Sequence, residues 1–176
     1  MMKKYVITGG PGTGKTTLVE LLSSRGYSTV VEASRLLIEE KRKIDKDFSP
    51  LDNPQLFQKE VIDYQSKLES EATGETVFFD RSIVDNYGYS LFYKMPIPEI
   101  LEKSGRNRYD AVFLLDPLPS YAKDSSRIED EKTALAIHRA IEEGYKRLGY
   151  DVIKVPAISP ERRADFVESI CLNRGR

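Results

Sequence analysis

The sequence predicts an α/β domain: a five-stranded parallel sheet with helices on both faces. Three observations carry this. Short β-branched or aromatic runs at residues 4–8, 28–31, 76–79, 111–115 and 152–155 alternate with segments of helical spacing, and strand–helix–strand alternation is the mark of a parallel sheet. Val77-Phe78-Phe79 and Val112-Phe113-Leu114-Leu115 are apolar without a break, as strands covered on both sides are. A glycine-rich turn joins the first run to the first helix. At 176 residues and 20.1 kDa the chain fits one domain, residues 1–176, with room for a lid.

The helices follow in order. The first opens at the glycine-rich turn, carries Leu18, Leu21 and Leu22, and stops near Gly26. The second runs from about Ala33 into the mixed-sign stretch 39–47, a solvated helix end. Asn53-Pro54 supplies an N-cap and a first-turn proline for the third, whose apolar stripe is Phe57, Val61, Tyr64 and Leu68. A fourth covers about 82–93, with Tyr89 and Tyr93 four apart and core-facing and Tyr87 free to stack on a planar substrate. A long helix spans about 131–148. Its stripe of Ala134, His138, Ile141, Tyr145 and Leu148 makes His138 a packed, hydrogen-bonded residue rather than a catalyst. The last helix covers about 160–172, with Cys171 as packing. Residues 46–52 read as a loop, and the proline-rich stretch 116–126 as a mobile segment over the strand ends.

Composition excludes several classes. Lys plus Arg is 27 against 28 Asp plus Glu, so no basic excess marks a nucleic-acid or membrane-surface binder. One cysteine rules out an internal disulfide, and one histidine any mechanism needing two. No apolar run approaches the roughly 18 residues of a membrane span, and the glycines at 9 and 10 interrupt the N-terminal apolar run too early for a signal peptide. A cytoplasmic protein is expected.

Gly9-Gly10-Pro11-Gly12-Thr13-Gly14-Lys15-Thr16 matches G-x-x-x-x-G-K-[ST], between an apolar strand and an amphipathic helix. Glycine lets successive N–H groups point inward at anionic oxygens, and the helix N-terminus adds its positive end. Gly10, Pro11, Gly12, Thr13, Gly14, Lys15, Thr16 and Thr17 are therefore the candidate ATP-binding residues, with Lys15 on the β- and γ-phosphates and the Thr16 hydroxyl on Mg²⁺. This is the signature of P-loop NTPases. The resemblance implies a three-layer αβα fold that binds phosphates at the carboxyl ends of its strands.

The run 76–79 ends in Asp80, which suits a carboxylate that holds Mg²⁺. The next residue is Arg81 and not the glutamate with which motor ATPases polarise water. Asp80-Arg81-Ser82 instead resembles the acid-Arg-Ser motif of deoxynucleoside kinases and the Asp-Arg motif of thymidylate kinases. That likeness implies an Arg81 that orients phosphate or the catalytic acid. Glu32, after the second strand, stands where nucleoside kinases often supply the carboxylate that takes the acceptor's proton. Glu32 and Asp80 thus form a base and metal-anchor pair whose assignment is open. Arg35, one turn on, either holds a substrate phosphate or pairs with Glu39. Arg127, beyond the proline-rich stretch, is the candidate for a mobile arginine closing on the transferring phosphoryl group.

Taken together, residues 7–17, 32–35, 78–81, 109–114, 127–130 and 148–150 resemble a small AAA-domain ATPase/kinase-like family, close to the ribosylnicotinamide kinase domain of the bacterial NAD regulator. The resemblance implies the kinase-type strand order 2-3-1-4-5. It also implies an acceptor region at about 32–72, between the second and third helices and the 80–87 segment, and a lid at about 117–131. A true AAA+ machine's C-terminal helical domain and the NAD regulator's nucleotidylyltransferase domain are both absent from the pattern. The expected activity is transfer of the γ-phosphate of MgATP to a small, nucleoside-like metabolite, with catalytic residues Lys15, Glu32, Asp80, Arg81 and Arg127 and substrate contacts from Glu32, Arg35 and Arg81. The alternative is a nucleotide-dependent binding module that hydrolyses ATP or GTP slowly. A guanine-reading N/T-K-x-D motif is missing.

Overall fold

The computed structural model describes residues 2–104, 108–119 and 130–174. Strands β1 (Lys3–Thr8), β2 (Ser28–Val30), β3 (Thr76–Asp80), β4 (Ala111–Leu115) and β5 (Val152–Val155) form one sheet in the order β2-β3-β1-β4-β5. Every pairing is parallel, with Ile7 opposite Asp80 and Phe113. Helices α1 (Lys15–Ser24), α2 (Ala33–Ile44), α3 (Pro54–Glu71), α4 (Asp85–Phe92), α5 (Glu99–Ser104), α6 (Glu131–Arg147) and α7 (Pro160–Arg174) connect and cover the strands. The expected architecture and strand order are the observed ones.

Alternation along the strands divides the core. Tyr5, Ile7, Phe113 and Leu115 pack with Leu18 and Leu22 of α1 and Ala164 and Val167 of α7. Val6, Val112 and Leu114 point the other way, toward Val84 and Tyr87 at α4 and Ile137, Ile141 and Tyr145 of α6. A third cluster joins α2 to α3 through Ala33, Phe57 and Val61. Where α4 crosses α6 the backbones nearly touch: a Cβ on Gly88 would lie 2.4 Å from Ile141 Cα. Asn53 caps α3 by accepting from Leu56 N–H at 3.1 Å, and Asp130 caps α6 by accepting from Thr133 N–H at 2.7 Å.

Three expectations are corrected. The fourth helix begins at Asp85 and not near 82, because the Asp85 carboxylate accepts from the Ser82 N–H at 2.9 Å and closes residues 82–84 into a turn. That helix buries Tyr87, while Tyr93, just past its end, is 37% exposed. The roles expected of these two tyrosines are therefore reversed, since the face that meets α6 is centred on Val84, Tyr87 and Gly88. Helix α5 has no counterpart among the expected helices. Six residues behind two prolines are too few to display a period.

Candidate active site

The carboxyl ends of β1 and β3 bring the candidate residues together. From Gly9 the chain turns over the end of β1 and enters α1 at Lys15. Gly14 is the N-cap at φ +86°, a left-handed conformation that glycine adopts without a steric cost. Gly12, Thr13 and Gly14 donate their N–H groups to no acceptor among the described residues. With the first amides of α1 they form a set of open donors, which is what an anion cradle requires. Gly10 is not part of that set. Its N–H donates to Nδ1 of His138 at 3.1 Å. Pro11 has no N–H to give, and Thr17 is exposed in the first turn of α1.

Lys15 is buried, and its Nζ donates to the Gly10 carbonyl at 2.9 Å. Burial, with repulsion from Arg81, lowers its pKa to about 8. The Thr16 hydroxyl donates to Asp80 Oδ2 at 2.9 Å, while Asp80 Oδ1 is buried and has no partner. Burial and the Glu32 charge push the Asp80 carboxyl up to about 6, against the pull of Lys15, Arg81 and the Thr16 bond. A buried carboxylate oxygen without a partner beside a threonine hydroxyl fits a hard divalent cation that keeps most of its ligands as water and phosphate. No cluster of three acidic, His or Cys ligands exists among the described residues, so a metal there would lean on its substrate.

Arg81 lies between the acids. It is a non-glycine residue at φ +68°, a conformation that costs energy and persists only when the surroundings hold it. Its Nε donates to Glu32 at 2.9 Å, and its Nη1 donates to Asp85 at 3.0 Å and to the Gly9 carbonyl at 3.2 Å. The Tyr89 ring lies 5.5 Å from the guanidinium. Burial alone would raise the Glu32 carboxyl, but Arg81, Lys15 and the Ser34 hydroxyl hold it below its usual value. Glu32 keeps 22% of its side chain exposed, so it remains open to a ligand. Arg35 pairs with Glu39 at 3.2 Å, is 65% exposed, and lines a cleft together with Thr16, Glu32 and Asp80. Arg127 lies outside the described residues, as do positions 120–129 of the lid expected at about 117–131.

Sequence reasoning missed two polar residues that hold the site. Asp85 accepts from Thr8 Oγ1 at 2.5 Å, Tyr145 OH at 2.6 Å, Ser82 N–H and Arg81. Arg163 of α7 donates to the carbonyls of Thr13 at 2.5 Å, Pro156 at 2.8 Å and Asp116 at 2.9 Å, tying the loop to the ends of β4 and β5. An acid four residues after an arginine, and a second arginine beside Arg162, carry no local mark of these roles.

A cleft of about 340 Å³ opens between α3 and the α4–α5 connection, lined by Gln58, Lys59, Ile62, Ser90, Met95 and Pro98 among others. Gln58 Oε1 is buried without a partner. Apolar side chains fill the seam between α2 and α3 itself. A second cleft, of about 420 Å³, opens beside α1, β2 and α2, lined by Thr16, Thr29, Glu32, Arg35 and Asp80 among others, and residues of both clefts fall within the acceptor region 32–72 expected from the sequence.

A sequence-family model described as an AAA domain matches residues 4–163. Among solved structures, deoxyadenosine kinase from M. mycoides with bound dATP superposes with a TM-score of 0.72 at 18% identity, covering 96% of this chain and 98% of that one. NadR in complex with NR gives 0.64 at 25% identity over 88% of this chain, which spans only 45% of NadR. Thymidylate kinase from Ehrlichia chaffeensis gives 0.62 at 15% identity, covering 97% and 98%. No curated protein matches the sequence. The fold is that of the P-loop kinases.

Proposed function

The chain belongs to the AAA-domain family, and from that footing we propose that it is a phosphotransferase that moves the γ-phosphate of MgATP to a hydroxyl of a small nucleoside-like metabolite. The observation that carries this is the Asp80 carboxylate, with one oxygen on Thr16 of the loop and the other buried without a partner.

In this reading the open amides of Gly12, Thr13 and Gly14 and the Lys15 ammonium hold the polyphosphate. Lys15 leaves the Gly10 carbonyl to do so. Thr16 and Asp80 hold Mg²⁺, which supplies charge neutralisation at the phosphates. Glu32 takes the acceptor's proton. Its low pKa keeps it ionised at neutral pH, whereas Asp80 is committed to Thr16 and the metal. The acceptor oxygen bonds to the γ-phosphorus as the bond to ADP breaks, and the proton goes to Glu32. Arg81 fixes Glu32 in place and stands near the developing charge. The acceptor's planar body suits the apolar cleft beside α3, where a ring N–H would satisfy Gln58 Oε1.

Nucleotide turnover with and without a panel of nucleosides tests the proposal, with product mass read by spectrometry. One acceptor should stimulate ADP release and gain the mass of a phosphoryl group. Slow hydrolysis indifferent to every acceptor would overturn the proposal in favour of a binding module.

A further inference from the structure

One buried group near the loop has no part in the reaction above. His138, on α6, is 5% exposed. The loop runs directly over it: a Cβ on Gly10 would lie 2.8 Å from His138 Cβ and 2.7 Å from the Ala134 carbonyl. Gly10 is held through both of the peptides that flank it, and the Gly9 carbonyl, on the same peptide as the Gly10 N–H, accepts from Arg81 Nη1 at 3.2 Å. The Gly10 N–H donates to His138 Nδ1 at 3.1 Å, and the Gly10 carbonyl accepts from Lys15 Nζ at 2.9 Å and Thr13 Oγ1 at 3.0 Å. An imidazole that accepts at Nδ1 is neutral and carries its proton on Nε2. Burial favours that neutral form, and the Lys154 and Lys15 charges add to it against Glu142 and Asp116.

We infer that His138 is a positioning residue for the phosphate loop: by taking the Gly10 N–H it sets which way the Gly9–Gly10 peptide, the first of the turn, faces, and so keeps the Gly9 carbonyl on Arg81 and fixes the direction in which the chain enters the loop. The reason is steric as well as polar. Without an acceptor on α6, the Gly10 N–H would be a buried unpaired donor, and rotation of that peptide would relieve it. The rotation would turn the Gly9 carbonyl, which shares that peptide, away from Arg81 Nη1 and re-aim the chain as it enters the loop. The loop's affinity for polyphosphate therefore depends on a side chain that acts through the backbone of Gly9 and Gly10.

The inference rests on the proposed binding of polyphosphate by the loop, and the test separates the two. The protein has one histidine, so nitrogen and carbon NMR shifts report its tautomer without assignment ambiguity. The Nε2–H form is expected at neutral pH. A proton on Nδ1 would overturn the inference whatever the nucleotide does. MgATP affinity is then measured by calorimetry for His138→Asn, whose Oδ1 stands at the same bond distance from the backbone as Nδ1, and for His138→Gln, whose acceptor is displaced by one bond. Asn should bind within about threefold of the parent, and Gln should lose about tenfold or more. Equal losses in two folded variants would overturn the inference. If Gln prevents folding, a tenfold loss in folded His138→Asn overturns it alone. A parent protein that does not bind MgATP instead refutes the proposed function, and the tautomer still decides the hydrogen bond.

Discussion

Replacing Asp80 by asparagine isolates the charge on which the proposed metal site depends. Burial and Glu32 raise this carboxyl from its usual 3.8 to about 6. A displacement of that size disfavours the ionised form by about 3 kcal/mol at neutral pH when no cation is bound. The sign follows from proton binding. The folded state holds this proton more tightly than the unfolded chain, so the group supports folding in acid. That support is lost as pH rises from about 4 through about 6. Asparagine keeps an acceptor for Thr16 and does not ionise, and the packing cost of its amide is the same at every pH. The unfolding free energy of Asp80→Asn relative to the parent should therefore shift in favour of Asp80→Asn by about 2–3 kcal/mol between about pH 4 and pH 7, and stay level above. In melting temperature that is a relative change of about 5–10 °C for a chain of this size. Denaturant and thermal unfolding of both proteins across a pH series read it directly. MgATP should then stabilise the parent much more than it stabilises Asp80→Asn. A difference that is flat with pH, or that favours Asp80→Asn more in acid, would refute the account of the buried carboxylate. Unimpaired Mg²⁺-dependent turnover would remove Asp80 from the metal site.

Lys15→Ala should weaken MgATP by about a hundredfold while changing adenosine affinity less than about threefold, the loss expected for a charge-assisted contact; calorimetry with both ligands checks it, and equal losses would count against the loop assignment. Arg163→Met removes three hydrogen bonds to backbone carbonyls, that of Thr13 buried, and should cost about 2–4 kcal/mol in urea unfolding, together with a loss of MgATP affinity. Gly88→Ala drives a methyl group into the α6 backbone at Ile141 and should destabilise by about 1–3 kcal/mol or more in the same assay. A neutral outcome there would mean that α4 and α6 separate easily.

What the sequence made legible follows from range. Strands buried on both faces, the Asn53 cap and the glycine-rich turn are set by neighbours in the chain, and each lies where periodicity and turn chemistry put it. Asp80 could be named because a strand end is a local feature. Asp85, Arg163 and the grip of His138 on Gly10 depend on partners 77, 150 and 128 positions away. No composition or spacing rule spans such distances. The interchange of Tyr87 and Tyr93 has a different cause. The start of α4 is set by a turn in which Asp85 accepts from the Ser82 N–H three residues back, and an apolar pattern does not display such a side-chain bond. Arg35 was ambiguous because its i+4 carboxylate is local while the cleft is not.

The turn that follows β1 is completed by α7. Arg163 meets the Thr13 carbonyl across 150 positions of sequence. During synthesis, then, the loop emerges well before its clamp, which is in place only once α7 has also left the ribosome. On the proposed function, nucleotide capture should accordingly come after α7 has docked.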